Sequence, residues 1–329
     1  MNNQNSIREN NRDVVVQSKI KLMRNLDKTP FPCRMSNDLR KSVCKKLYAA
    51  LQNSKLAGDF DWNELGLASQ AERFSFFEKG YISKAMAKQG EYCALLLSKD
   101  EKCAVMLCEE EHICINTVCD GDDLKSAYQR ANALDDVFIK SVKIAFDKEL
   151  GFLTSNPMHL GTGLIASVVL HLPAISRKGL IQGLGNMVSK LGFLIKPVFN
   201  GGFYELSNEI SMGITEENVL ENLNAICAQI VNQERKLRND LIEYEDFEDK
   251  IFRAMGTLKM ARKLSTDEFY NLISLARLGA SVHAFDLPFD KIDKMIYSLG
   301  TASIMAGAQG DMNSDDAQRI RAQFIRENI

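Results

Sequence analysis

Apolar residues along this chain keep two rhythms, mixed up to about residue 240 and helical alone beyond it. Before that point come short β-like runs. Tyr92 to Ser98, Cys103 to Cys108 and His112 to Val118 read as strands, separated by a turn at Lys99–Lys102 and by the acidic Glu109-Glu110-Glu111. After it, every apolar set recurs at helical spacing: Phe247 to Lys263, Thr266 to Gly279, Phe289 to Leu299 and Ser314 to Asn328. Strand and helix periods cannot share one apolar face, so the switch marks a change of architecture. A domain boundary is expected there, giving a polar N-terminus over 1–12, a mixed domain over 13–240 and a helical domain over 241–329.

Within the mixed part, Asp13 to Arg24 reads as a strand with partial alternation, and Asn37 to Asn53 as a helix with Leu39, Val43, Leu47 and Leu51 on one stripe. Asp122 to Phe146 reads as one long helix, opened by Gly121-Asp122-Asp123, whose acids suit the positive helix end. Leu164 to Leu172 is a strand stopped by Pro173; a helix follows to about Lys190, then a strand from Phe193 to Phe199. Thr215 caps a helix whose Val219, Leu220, Leu223, Ile226, Cys227, Ile230 and Val231 follow the 3.6-residue period. The charge run Glu234 to Asp249 reads as a solvated helix face or a linker.

Composition narrows the class. Hydrophobic residues at 45% with 26% charged describe a globular chain, and 41 basic against 43 acidic residues offer no bulk attraction to nucleic acid or anionic membrane. Met1 to Arg12 has no secretory apolar run, and stretches such as Leu164 to Leu172 fall short of a membrane span, so a cytoplasmic protein is expected. Its eight cysteines then read as reduced core thiols. Cys103, Cys108, Cys114 and Cys119 lie close together, but their spacings of five and six residues are unlike the CxxC pairs of zinc sites, and no metal site is expected.

Four stretches carry a more specific pattern: Gln17-Ser18-Lys19-Ile20-Lys21, Cys108-Glu109-Glu110-Glu111-His112, Gly151 to Pro157, and Gly161-Thr-Gly-Leu-Ile165-Ala-Ser167. Together they resemble the ATP:guanidino phosphotransferases, nearest the bacterial protein-arginine kinase branch, from about Asp13 to Ile329. The resemblance implies an α+β fold, an antiparallel sheet flanked by helices followed by an all-helical C-terminal domain. It also implies ATP with Mg as cofactor. The family's catalytic glutamate falls on Glu110, with Glu109 beside it. Its phosphate-holding positions fall on Ser18, Lys19, Lys21, Cys114, Ile165 and Lys196, while Arg24 matches unchanged. A nucleotide-contacting histidine falls on Gly80 and a reactive cysteine on Asn156. The family's Gly-rich loop aligns with Lys196 to Gly202, shortened before Phe203 to Asn208.

Taken from the residues alone, the acidic stretch is a solvated turn with Glu111 and His112 at its edge. His159 is either a phosphate contact or a turn residue, Gly161-Thr-Gly163 either an anion nest or a common turn, and His171 is structural; His283 has no partner in view. Leu275 to Gly279 and Asp316 to Glu327 are similar to the family's dimer-forming domain. There the phosphoarginine-binding Arg-Asp pair falls on Ala317-Gln318, while Arg321-Ala322 match; without the resemblance, this is an amphipathic last helix with exposed arginines. A homodimer is implied, with quality-control partners: a Clp-class unfoldase, a zinc-binding activator protein and a heat-shock repressor.

Phosphoryl transfer asks the protein mainly to position and neutralise phosphate oxygens. An arginine fork grips two oxygens at once, whereas lysine is a point charge. Lys19, Lys21 and Lys196 keep charge and lose the fork; Cys114 and Ile165 lose both. The expectation is a guanidino-kinase fold with impaired catalysis serving a regulatory role. The alternative is an active protein-arginine kinase that uses lysines.

Overall fold

The computed structural model describes residues 11–243, 245–308 and 312–329; the first ten residues of the polar N-terminus lie outside these. Eight strands form one antiparallel sheet: β1 (Val15–Arg24), β2 (Phe60–Glu64), β3 (Ala94–Ser98), β4 (Cys103–Leu107), β5 (Ile113–Asp120), β8 (Leu164–His171), β9 (Phe193–Phe199) and β10 (Phe203–Asn208). Their order is β2-β3-β4-β5-β1-β8-β10-β9, which puts β1 inside the sheet with β5 and β8 as neighbours. The short β6 (Phe146–Asp147) and β7 (Gly151–Phe152) pair apart from it.

Strand alternation gives the sheet two different faces. Ile20, Leu22, Leu96, Val105, Ile115, Ala166, Val168 and Leu206 point to one of them and are buried. Among the helices that cover that face are α1 (Asn37–Gln52), α4 (Leu124–Ser141) and α7 (Glu216–Ile242). Each is opened by a side-chain cap, from Ser36, Asp123 and Thr215 respectively. On α7, Val219, Leu223, Ile226, Cys227, Ile230 and Val231 are buried as their period predicts. Burying each such aliphatic side chain contributes roughly 1.5–3 kcal/mol.

The other face is shared between two lids. At one end α2 (Gln70–Glu78) and α3 (Lys84–Gln89) bring Phe76, Phe77, Ile82 and Met86 against Met23, Leu95, Met106 and Cys114. At the other, Val16, Val169 and Phe203 join the core of the C-terminal helices α8 (Glu245–Met260), α9 (Thr266–Ser281), α10 (Phe289–Ser298) and α12 (Ser314–Asn328). Glu78 of α2 accepts from the backbone of Ala302 and Ser303 in the short α11 (Thr301–Ala306), at 3.0 and 2.7 Å, and so joins the two lids.

Several expectations are corrected. The helix expected over 122–146 ends at Ser141, because Val142 is extended and the chain turns to pair Ile144 with Leu26. The helix expected up to Lys190 is two, α5 (Pro173–Arg177) and α6 (Ile181–Ser189), separated at Gly179 with φ +71°. The charge run after residue 233 begins inside the protein: Glu234 is buried, accepts from Ala174 N and Ile175 N at 3.0 and 2.9 Å, and pairs with buried Arg238 at 2.8 Å. Arg321 of the last helix is buried too, and donates to the carbonyls of Leu299 and Leu264 and to Thr301 Oγ1. Leu39, expected on the buried stripe of α1, is 37% exposed.

Arg238 and Arg277 meet where sheet and C-terminal helices join. Arg277, fully buried on α9, pairs with Asp293 at 2.9 Å and donates to the carbonyls of Asp13 and Arg12 at 2.6 and 2.7 Å. Arg238 donates to the carbonyls of Asp13 and His171. His171 stacks on Phe203 and shares a hydrogen bond with Ser274, so it is structural as expected. Removing one partner of a buried pair strands the other charge. Arg277→Ala is therefore expected to cost about 3–5 kcal/mol of unfolding free energy in urea titrations. A cost below about 1 kcal/mol, the range of a surface pair, would show the network does not hold the junction.

Candidate functional site

Between the two lids a strip of sheet stays open as a cleft of about 350 Å³. The register decides what lines it, because directly opposed residues of antiparallel strands share a face. Lys19 lies opposite Val118 and Ser167, and Lys21 opposite Asn116 and Ile165. Ser207 lies opposite Ser167 and Leu194, and Glu205 opposite Val169 and Lys196. Lys19, Lys21, Ile165 and Lys196 are thus brought to one face, from three separate regions of sequence.

Ser18 is not among them. One residue from Lys19, it points to the opposite face, where its hydroxyl donates to Gly121 O at 2.8 Å and accepts from Asp123 N at 2.9 Å at the start of α4. Strand alternation corrects its assignment to the cofactor site. Arg24 is also structural: it holds Asp135 through Nε and Nη2 at 3.0 and 2.6 Å, under the Phe152 ring.

The cleft's charges are largely paired within it. Glu205 sits between Lys19 at 3.7 Å and Lys196 at 3.0 Å and accepts from Ser167 Oγ at 3.1 Å. Burial pushes its carboxyl up, but the two ammonium groups and the hydroxyl pull it further down, to about 2. Among the described residues Lys21 has no ion-pair partner. Its ammonium is held above its ordinary value by Cys114, then by Glu109, Glu205 and Glu110, against burial. The Cys114 thiol is itself pushed up to about 11 by burial, so at neutral pH it is uncharged and the glutamates supply the field at Lys21.

Cys114 and Ile165 pack with Met23, Ile82 and Met106, so an apolar patch adjoins the lysines. Glu109 accepts from Ser83 Oγ at 3.0 Å at the rim, while Glu110 is exposed and unpaired among the described residues. Glu111 and His112, expected at a solvated edge, are buried. Glu111 takes Ser155 N and Oγ and Asn25 Nδ2, which ties the acidic turn to the 154–156 loop. Asn156 caps its own turn by accepting from Met158 N, and offers no nucleophile.

The glycine loops serve the chain's own packing. A Cβ on Gly163 would meet Met23 O at 2.7 Å, and one on Gly161 would meet Ser211 O at 2.5 Å, so this turn is a close chain crossing. Asn200-Gly201-Gly202 is the short turn between β9 and β10, and Gly201 stands against Tyr270 O and Ser274 of α9. It has no free loop to fold over a ligand. His159 lines the cleft, and its buried Nδ1 has no hydrogen-bond partner among the described residues. Glu205 was missed from sequence. The signal was the turn at Asn200 to Gly202, whose hairpin register sets Glu205 opposite Lys196.

The fold defines the class: this sheet with its flanking helices is that of the guanidino kinases. The substrate-free duplicated taurocyamine kinase of Schistosoma mansoni matches with a TM-score of 0.63 at 17% identity, over 85% of this chain and 49% of that one. Sequence carries the assignment further. The model of the ATP:guanido phosphotransferase C-terminal catalytic domain matches residues 42–237, and that of the protein-arginine kinase McsB C-terminal domain matches 244–329. The protein-arginine kinase of Clostridium kluyveri is 34% identical over 100% of this chain and 99% of its own, and that of Clostridium novyi 32% over 100% and 98%. The chain belongs to the ATP:guanido phosphotransferase family, in its protein-arginine kinase group.

The Glu205 carboxyl lies at about 2 in the folded protein against an ordinary 4.5. A depressed acid contributes stability that is complete above its unfolded value and is lost as pH falls toward its folded one. Thermal melts of the wild type should therefore lose stability between about pH 5 and pH 2, and Glu205→Gln should flatten that limb.

Proposed function

We propose that this protein keeps the guanidino-kinase fold but transfers phosphoryl groups weakly or not at all, and acts as a binding or regulatory component in protein quality control. One observation carries the reading. Cys114 and Ile165, where the family's arginines would grip phosphate, are built into an apolar patch with Met23, Ile82 and Met106. Their replacement is part of a repacked wall, and an uncharged wall cannot neutralise a phosphoryl group in flight. Lys19 and Lys196 are engaged by Glu205 as well, so the family's ATP with Mg does not fit the residues present.

A second reading has its own support. Lys21 in the cleft has no ion-pair partner among the described residues, and the exposed Glu110 carboxylate, with Glu109, acts on it electrostatically. A carboxylate there could orient a guanidinium and accept its proton. That reading makes the protein an active arginine kinase relying on lysines.

Incubation with Mg-ATP and an arginine-rich protein, followed by phosphorus NMR for acid-labile phosphoarginine, separates the two. The expected outcome is no signal above a Glu110→Ala control. A signal abolished by both Glu110→Ala and Lys19→Ala would establish the lysine-based kinase instead. The repacked wall generates a further expectation. Cys114→Arg with Ile165→Arg should not restore turnover, and should lower the melting temperature by several degrees, since each guanidinium replaces an apolar contact. Full activity in a protein as stable as the wild type would show the wall to be incidental.

A further inference from the structure

Three lysines line the cleft, and two of them share one carboxylate. Glu205, whose side chain is 16% exposed, bridges Lys19 and Lys196 and is fixed by Ser167. Lys21 lacks an ion-pair partner among the described residues, and His159 Nδ1 is buried beside the same space without a hydrogen-bond partner. Ile82, Met106 and Ile165 form the adjoining wall.

We propose that Glu205 is the specificity-determining residue of this cleft: it occupies the Lys19–Lys196 pair as an internal anion, excludes polyphosphates, and leaves Lys21 to receive a single phosphoryl group. This rests on the reading that the cleft descends from a nucleotide site that no longer turns over. A polyphosphate lying along the strip would have to displace the Glu205 carboxylate or stand beside it, and like charges at that range repel strongly where water is scarce. A lone phosphoryl group meets a different environment. The Lys21 ammonium supplies its charge and its hydrogen-bond donors. The apolar wall suits the uncharged remainder of a phosphorylated side chain, such as a phosphoramidate or phosphomonoester on a peptide.

Calorimetric titration at low ionic strength, without metal, tests this with orthophosphate and tripolyphosphate as probes. The wild type should bind orthophosphate and should bind tripolyphosphate no more tightly. Glu205→Gln should tighten tripolyphosphate by about tenfold or more, the weight of one 1.4 kcal/mol interaction, with a smaller effect on orthophosphate. Lys196→Ala should change little alone, since Lys196 already serves Glu205, but should erase the gain in the Glu205→Gln background. Lys21→Ala should abolish orthophosphate binding. A wild type that prefers tripolyphosphate, or that binds no orthophosphate, would overturn the proposal. So would a folded Glu205→Gln protein, checked by circular dichroism, with unchanged polyphosphate affinity. None of these results depends on turnover, so a positive phosphoarginine assay would remove the non-catalytic reading without deciding the binding result.

Discussion

Two buried guanidinium groups hold this molecule in one piece. Arg238 arrives on α7 from the helical layer behind the sheet, and Arg277 on α9 from the C-terminal helices; both end on the backbone of Asp13 at the entry to β1. A buried arginine is tolerated only where its donors are met, and here they are met by carbonyls of Arg12, Asp13 and His171 and by carboxylates of Glu234 and Asp293. Such an arrangement is directional in a way that apolar packing is not. It fixes where the inner strand of the sheet begins relative to both helical layers.

That fixed junction decides which part of the sheet is left uncovered. The C-terminal helices close over Val16, Val169 and Phe203, and α2 and α3 close over Met23, Met106 and Cys114. Glu78, capping α11, ties one lid to the other. The cleft is the remainder. The same packing uses up groups that would otherwise face solvent: Gly201 lies against α9, and Arg321 spends its donors on the carbonyls of Leu264 and Leu299.

Electrostatics within the cleft follow from burial more than from net charge. A chain with 41 basic and 43 acidic residues has no field of its own to concentrate anions. What the cleft offers is set locally, by Glu205 between two lysines and by an apolar wall where a phosphate site needs cations. The changes agree with one another. Cys114 and Ile165 complete a continuous apolar surface, and Glu205 offsets one of the two neighbouring lysine charges.

Sequence by itself determined the family, the class of fold and the α/β-to-helical switch, because these rest on motifs and on periodicities that each element carries locally. It also gave the period-2 reading of β1, which separates Lys19 and Lys21 from Ser18. Alternation alone already puts Ser18 on the other face; the motif match, which ignores faces, had grouped it with the site. The tertiary structure alone decided the rest. That Glu205 meets Lys19 depends on three strands in register, and no local pattern links positions so far apart in the chain. That Glu234, Arg238 and Arg321 are interior also escaped, since charged residues at helical spacing look the same whether they face water or a buried partner. Composition and period report what a residue prefers; pairing and burial depend on which distant groups arrive beside it, and only the folded chain fixes that.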